Sequence, residues 1–335
     1  LRPTLLCALA VTAALAPAAA LRAQAPAATE APTLALPLAC EIGLTCEVQH
    51  YVDRDPGPGV LDYRCGARTN DKHDGIDFRL SDMALQRAGV DVLAAAAGRV
   101  IAVRDGVQDI SIRAPGAPSV AGHECGNRVG ISLGGGWIID YCHLANGSLK
   151  VKVGDTVAAG QPLARVGLSG DTEFPHLHFS VRHANGVVDP FAPGAVARGA
   201  CAPQSGLWTA GAARALAYKP GAVLNTGFSS TQVTMAGVEG RTQAPVATTS
   251  QAMVAYVRLI GLETGDVLEL AITGPGGLKL AASALPALET NKAQWLTFTG
   301  AQRPSAGWPS GVYTATLQVR RAGAVAIRRS WTTRL

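Results

Sequence analysis

Past His183 the chain contains no histidine. Its C-terminal part therefore lacks the side chain most used for metal ligation and proton transfer near neutral pH. Seven cysteines are present, but no Cys-x-x-Cys pair occurs, which excludes a zinc-ribbon pattern. Aromatic residues make up 5% of the chain, and the formal charge of +5 is spread out. There is no basic block with interleaved aromatics, so nucleic-acid binding is not expected. A mild positive charge is compatible with an anionic polymer as partner and goes no further. Beyond the first two dozen residues no apolar run is long enough to cross a hydrocarbon layer roughly 30 Å thick.

The first residues do form such a run. Leu1-Arg2-Pro3-Thr4 leads into a Leu- and Ala-rich stretch and then into small-residue sites at Ala18-Ala19-Ala20 and Ala23-Gln24-Ala25. Charge, a short apolar core and small residues are the order of a secretory signal, expected here over 1–25. Pro26 follows the second site, so a cut after Ala20 is an equal alternative. As a membrane anchor the run is marginal in length, and no stable insertion is expected once it is removed. Outside it lie Cys40, Cys46, Cys65, Cys125, Cys142 and Cys201, an even number that suggests a disulfide framework in an exported, periplasmic or extracellular chain. Cys142 precedes His143, but neighbours on a strand face opposite ways, so a structural disulfide is expected rather than a Cys–His pair.

Residues 26–39 are rich in Ala, Pro and Thr and read as a tether. From 40 to 203, a lead-in full of turn formers gives way to short apolar runs cut by glycine, with few convincing helices. Arg128–Leu133 and Trp137–Tyr141 are strand-like and joined through Gly134-Gly135-Gly136, a hairpin signal. Residues 204–335 carry further strand patterns. Between Gly311 and Arg320, Tyr313, Ala315, Leu317 and Val319 share one face. The expected architecture is mainly β: an antiparallel core followed by an immunoglobulin-like β-sandwich of about 100 residues or slightly more, whose partner the sequence does not name.

The chemistry concentrates in three places. Phe174-Pro175-His176-Leu177-His178-Phe179 reads as a strand with both imidazoles on one face. His73 and Asp77, four apart on an extended segment, can also share a face, and Gly75 between them permits close backbone approach. Tyr141-Cys142-His143-Leu144 lies between these two segments in sequence. Two imidazoles and a carboxylate, with one position left open, suit a catalytic zinc ion and leave other imidazoles for acid–base work. Spacing alone does not choose between His176 and His178 as the ligand.

Taken in order, residues 73–190 resemble the lysostaphin-type, or LytM-domain, zinc endopeptidases, which cut peptidoglycan cross-bridges or stem peptides. The resemblance runs from His73-x-x-x-Asp77 through the alanine-rich strand ending in Gly98, then Gly126-Asn127 and Tyr141-Cys142-His143-Leu144. It continues through Val153–Gln161 and Gly167-Leu168-Ser169-Gly170 to His176-Leu177-His178-Phe179 and Asp189-Pro190. It implies that His73, Asp77 and His178 bind Zn2+. It also implies that His143 and His176 are the catalytic pair, handling an attacking water whose pKa the metal lowers. The substrate implied is a peptidoglycan peptide. Glu173-Phe174 stands where the family has Thr-Gly, Ser180 where it has an acidic residue, and Ile139 where Thr is common. These departures lie near the expected groove. They leave open a protein substrate, and the family also includes members that have lost ligands and act as non-catalytic activators of separate amidases.

The remaining histidines, His50, His123 and His183, read as surface residues. Asp74 should point away from His73. Asp189-Pro190 and Asn127 read as turn residues first.

Overall fold

The computed structural model describes residues 30–194 and 206–335. The expected signal, the start of the tether and Cys201 lie outside them. The chain is mainly β, and its elements fall into two groups.

The first group comprises β1 (Cys46–His50), β2 (Ile76–Leu80), helix α1 (Met83–Ala88), β3 (Asp91–Leu93), β4 (Gly98–Arg104), β5 (Asn127–Gly134), β6 (Trp137–Leu144), β7 (Thr156–Val157), β8 (Pro162–Arg165), β9 (His176–His183) and β10 (Gly186–Val187). The main sheet runs β1-β2-β9-β6-β5-β4-β7, with β10 paired to β9, and all of these pairings are antiparallel. Strand β3 pairs with β8 in a separate ladder. The β5–β6 hairpin turns through Gly134, Gly135 and Gly136, all three at positive φ, where a Cβ would be strained.

Alternation along the strands builds the core. Ile76, Phe78 and Leu80 of β2, Ile139 and Tyr141 of β6, and Leu177, Phe179 and Val181 of β9 are almost fully buried on one side of the sheet. Asp77, Arg79, His176, His178 and Ser180 are left for the other side.

Two expectations need correction. Residues 34–39 are not a free tether. Leu34 and Leu38 are buried in this core, and the main chain bonds to Leu207, Ala95 and Asp91. Two leucines fill core sites that the alanines and prolines around them could not fill. The first unit also reaches past residue 203. Leu207 and Trp208, and Ala212 and Leu216 in or just after helix α2 (Ala210–Ala215), pack into the same core. Trp208 meets Phe78, Phe179 and Phe191 edge-on or tilted.

The second group comprises β11 (Ala222–Ser229), helix α3 (Met235–Gly240), β12 (Ala252–Leu262), β13 (Val267–Thr273), β14 (Lys279–Ala284), β15 (Lys292–Gln302), β16 (Val312–Arg321) and β17 (Ala324–Arg334). Sheets β11-β12-β15 and β14-β13-β16-β17 enclose a common core in which Val257 and Leu259 meet Leu268, Leu270, Leu317 and Val319. Seven antiparallel strands in two facing sheets make a β-sandwich.

A charged cluster joins the two groups. Arg79 of β2 reaches Glu239 (3.1 Å) and Gln49 (3.1 Å), and also bonds Gln294. Arg258 of β12, fully buried, bonds Glu239 and the Ser81 carbonyl. Burial and the neighbouring Arg258 push the Arg79 guanidinium down to about 9. Both cations therefore depend on one carboxylate. Glu239→Ala is expected to cost about 3–5 kcal/mol, the usual penalty for stranding buried charge. A denaturant titration that leaves the unfolding midpoint unmoved would contradict this. Among the described residues, no helix is long and apolar enough to cross a membrane.

Candidate metal centre

Strand register assembles the site. Asp77 lies opposite His50 on one side and His178 on the other, and His178 in turn lies opposite Cys142. Three strands thus set polar side chains in one row across the sheet, which the disulfide-bonded Cys142 of the fourth closes. Gly75 keeps the row compact: a Cβ there would sit 2.6 Å from His178 Nε2 and 2.9 Å from the Phe179 carbonyl oxygen.

Donor atoms of His73, Asp77 and His178 all lie within 4.8 Å of one another. Asp77 Oδ1 is 3.1 Å from His73 Nε2 and 3.0 Å from His178 Nδ1. The outer atoms of both rings are already engaged. His73 Nδ1 is 2.8 Å from the Tyr51 carbonyl, which fixes it as the donor and leaves Nε2 free to ligate. His178 Nε2 is 3.1 Å from Asp74 Oδ1, which leaves Nδ1 to ligate. Outer partners of this kind select the tautomer that a metal-binding imidazole needs. Burial opposes the charge on Asp77, but the imidazoles of His73, His176, His178 and His50 outweigh it and hold the carboxyl well below the usual range. Two imidazoles and one ionised carboxylate, pre-oriented and convergent, fit a zinc ion by donor chemistry.

His143 and His176 stand beside this cluster, their ring centroids 4.5 Å apart. His143 Nδ1 donates to the Ser169 carbonyl (2.8 Å), and His176 Nδ1 is 3.0 Å from the Phe174 carbonyl. In each ring Nε2 is then the unprotonated atom, and His176 Nε2 lies 3.5 Å from Asp77 Oδ1. Burial pushes both imidazoles down, His176 to about 4 and His143 well below its ordinary value with help from His176 and His178. Both are neutral at pH 7 and can take up a proton at Nε2.

All five residues singled out in the sequence therefore meet in one place, but three other readings change. His50 is not a surface residue: it is buried, and its Nδ1 bonds Asp77 Oδ2 at 2.9 Å, so it holds the oxygen that faces away from His73 and His178. Asp74 does not point away. Residues 73–75 precede the strand, which begins at Ile76, so strand alternation does not apply to them. Asp74 bonds His178 and Arg182, and its carbonyl accepts from Ser180. Cys142 and His143 line the same cleft rather than opposite faces. The β5–β6 register slips between Asn127 and Val129, and His143 has φ 59°, so a bulge re-aims the imidazole. The structural disulfide stands all the same, as Cys125–Cys142, alongside Cys40–Cys46, and Cys65 is also disulfide-bonded.

His123 and His183 are exposed, the latter stacked on Trp137. Asn127 serves as a connector, bonding the Val107 main chain and the Leu144 carbonyl. Asp189 caps the Phe191 amide and pairs with Arg54.

Three convergent donors flanked by two neutral imidazoles make an arrangement that could hold a metal ion with proton-accepting groups beside it. Residues 71–190 match the model of peptidase family M23, and this part of the chain is similar to LytM-type peptidases. The cell division protein DipM of Caulobacter vibrioides is 38% identical over 68 residues, which are 20% of this chain and 11% of that protein. The chain thus spans a small part of that relative. A putative peptidase M23 from Pseudomonas aeruginosa is 30% identical, with 35% of this chain and 41% of that one aligned at a TM-score of 0.26. A zinc-containing peptidase from Vibrio cholerae is 25% identical, with 44% and 39% aligned at a TM-score of 0.28. Superpositions this loose leave the family match as the stronger finding.

Proposed function

We propose that the chain is an exported zinc metalloendopeptidase that hydrolyses peptide bonds of peptidoglycan. His73, Asp77 and His178 hold the metal, and His143 and His176 manage the proton. The observation that carries this reading is the convergence of donor atoms of His73, Asp77 and His178, with the His143 and His176 rings packed beside them. Two rings turn one nitrogen towards Asp77 and hold the other on an outer partner, and two hold Nδ1 on a main-chain carbonyl and turn Nε2 towards the cluster. Zinc in that cradle would supply Lewis acidity, polarising a peptide carbonyl and acidifying water. The chain's own part is to hold the donors in place, accept the proton of the attacking water at Nε2 of His143 or His176, and return it to the leaving amine. The disulfides Cys40–Cys46 and Cys125–Cys142, with the signal-like first residues, support an oxidising compartment outside the cytoplasm.

The test is metal analysis of the purified chain combined with digestion of isolated peptidoglycan. About one zinc per chain is expected from a single three-donor site. New peptide termini should appear, be lost on chelation and return with added zinc. No zinc uptake after supplementation would overturn the reading. Zinc uptake without cleavage of peptidoglycan would replace it with a binding or activating role, or with a protein substrate.

His50 yields a finer expectation. An outer partner of a ligating carboxylate contributes about 10–100-fold in metal affinity. His50→Ala should weaken zinc binding by that amount in a chelator competition, and His50→Gln, which keeps a donor, should recover part of it. Unchanged affinity in His50→Ala would mean that Asp77 is held well enough by its other neighbours.

A further inference from the structure

We propose that the edge of the second domain, Asn291 to Ala293, forms one end of the substrate groove and thereby helps to select the peptide bound there. This rests on the peptidoglycan reading above.

The cleft over the metal cluster, about 410 Å³, is lined by His73, His143, Phe174, His176 and, from the second domain, Ala293. A further cleft of about 230 Å³ lies between the two domains, lined by Thr69, Glu263, Asn291 and Lys292 among others. The two share His50, Asn70 and Ala293, so the same three residues border both. On the other flank a cleft of about 360 Å³ holds Arg128, Asp140 and Arg182 and shares His143, Asp171 and His178 with the first. The three clefts adjoin one another through these shared residues, with the metal cluster lining the middle one. An endopeptidase needs this shape, because its substrate continues on both sides of the bond that is cut.

The second domain is held in place at this spot. Gln49 Nε2 donates to the Ala293 carbonyl at 2.9 Å, and Gln294, the next residue, bonds buried Arg79. Arg79 in turn lies 4.0 Å above the Phe174 ring. Phe174 is one of the residues that depart from the family pattern just before His176, and it is also part of the groove wall. One contact chain therefore runs from strand β15 through Arg79 to the wall beside the reacting centre. Hydroxyl, amide, ammonium and carboxylate groups line the interdomain end together with Val60, Ala67 and Leu262. Such a lining suits a peptide arm with free amine and carboxylate groups better than an apolar ligand. A cross-linked peptide would extend such an arm, whereas a short peptide around the scissile bond would not reach it.

Ala293 is exposed on the strand edge, so Ala293→Trp fills the shared rim without entering a core. In that variant, binding and kcat/KM for a cross-linked muropeptide dimer should fall by about tenfold or more, mostly through KM, which corresponds to about 1.4 kcal/mol. Zinc content and unfolding midpoint should stay at wild-type levels, and cleavage of a short peptide spanning the same bond should fall far less than that of the dimer. Asn291→Ala, a milder change, should shift the dimer in the same direction. Wild-type affinity and turnover of the dimer in both variants would overturn the inference while leaving the peptidase reading intact. A wild-type chain that neither binds nor cuts any peptidoglycan fragment would overturn both.

Discussion

His178→Ala is expected to reduce cleavage to background and to weaken zinc binding by more than the roughly 100-fold upper range for loss of an outer partner. His178 joins the two carboxylates of the centre, with Nδ1 3.0 Å from Asp77 and Nε2 3.1 Å from Asp74. Removing the ring takes away one of three donors and leaves the Asp74 carboxylate with Arg182 alone among its side-chain partners. The buried apolar face of β9, made by Leu177, Phe179 and Val181, is untouched, so the fold should persist and the second domain with it. Zinc titration, cleavage and thermal unfolding on one preparation separate these effects. Full cleavage in a folded His178→Ala chain would show that the donor set is wrong, and a general loss of folding would show that the ring is structural.

The parts of this centre that were legible in the sequence are those governed by local periodicity. His176 and His178 lie on a regular strand, so alternation alone places both imidazoles opposite the core face. The antiparallel hairpin at Gly134–Gly136 and the buried face Tyr313–Val319 follow from the same logic. What escaped was set by pairing between distant segments or by breaks in regularity. His50 meets Asp77 because β1 pairs with β2 across 27 positions of sequence, and nothing near His50 announces that. Asp74 escapes strand alternation because the backbone there is not yet a strand. Cys142 and His143 share a cleft because a bulge inserts a residue, and a bulge at a non-glycine position leaves little trace in composition. Leu34 and Leu38 plug the core from within an Ala- and Pro-rich stretch whose average looks like linker. The domain limit moved for a related reason: Trp208 finds its partners in Phe78, Phe179 and Phe191, all of them earlier in the chain.

His176→Ala should separate chemistry from metal binding. The ring is neutral at pH 7, its Nδ1 hydrogen directed at the Phe174 carbonyl and its Nε2 turned towards the metal cluster. A positioned general base contributes about 10²–10⁴-fold, so kcat should fall by that factor while zinc content stays at the wild-type level. His143 has the same build, with Nδ1 on the Ser169 carbonyl and its ring 4.5 Å from that of His176. The double variant then distinguishes two arrangements. If one ring takes the proton and the other only stabilises charge, the two losses should multiply. If the pair acts as a unit, the double variant should be little worse than either single one, as groups that serve one step are strongly non-additive. Both single variants retaining cleavage within about tenfold of wild type, below the range for a general base, would remove these imidazoles from the proton path.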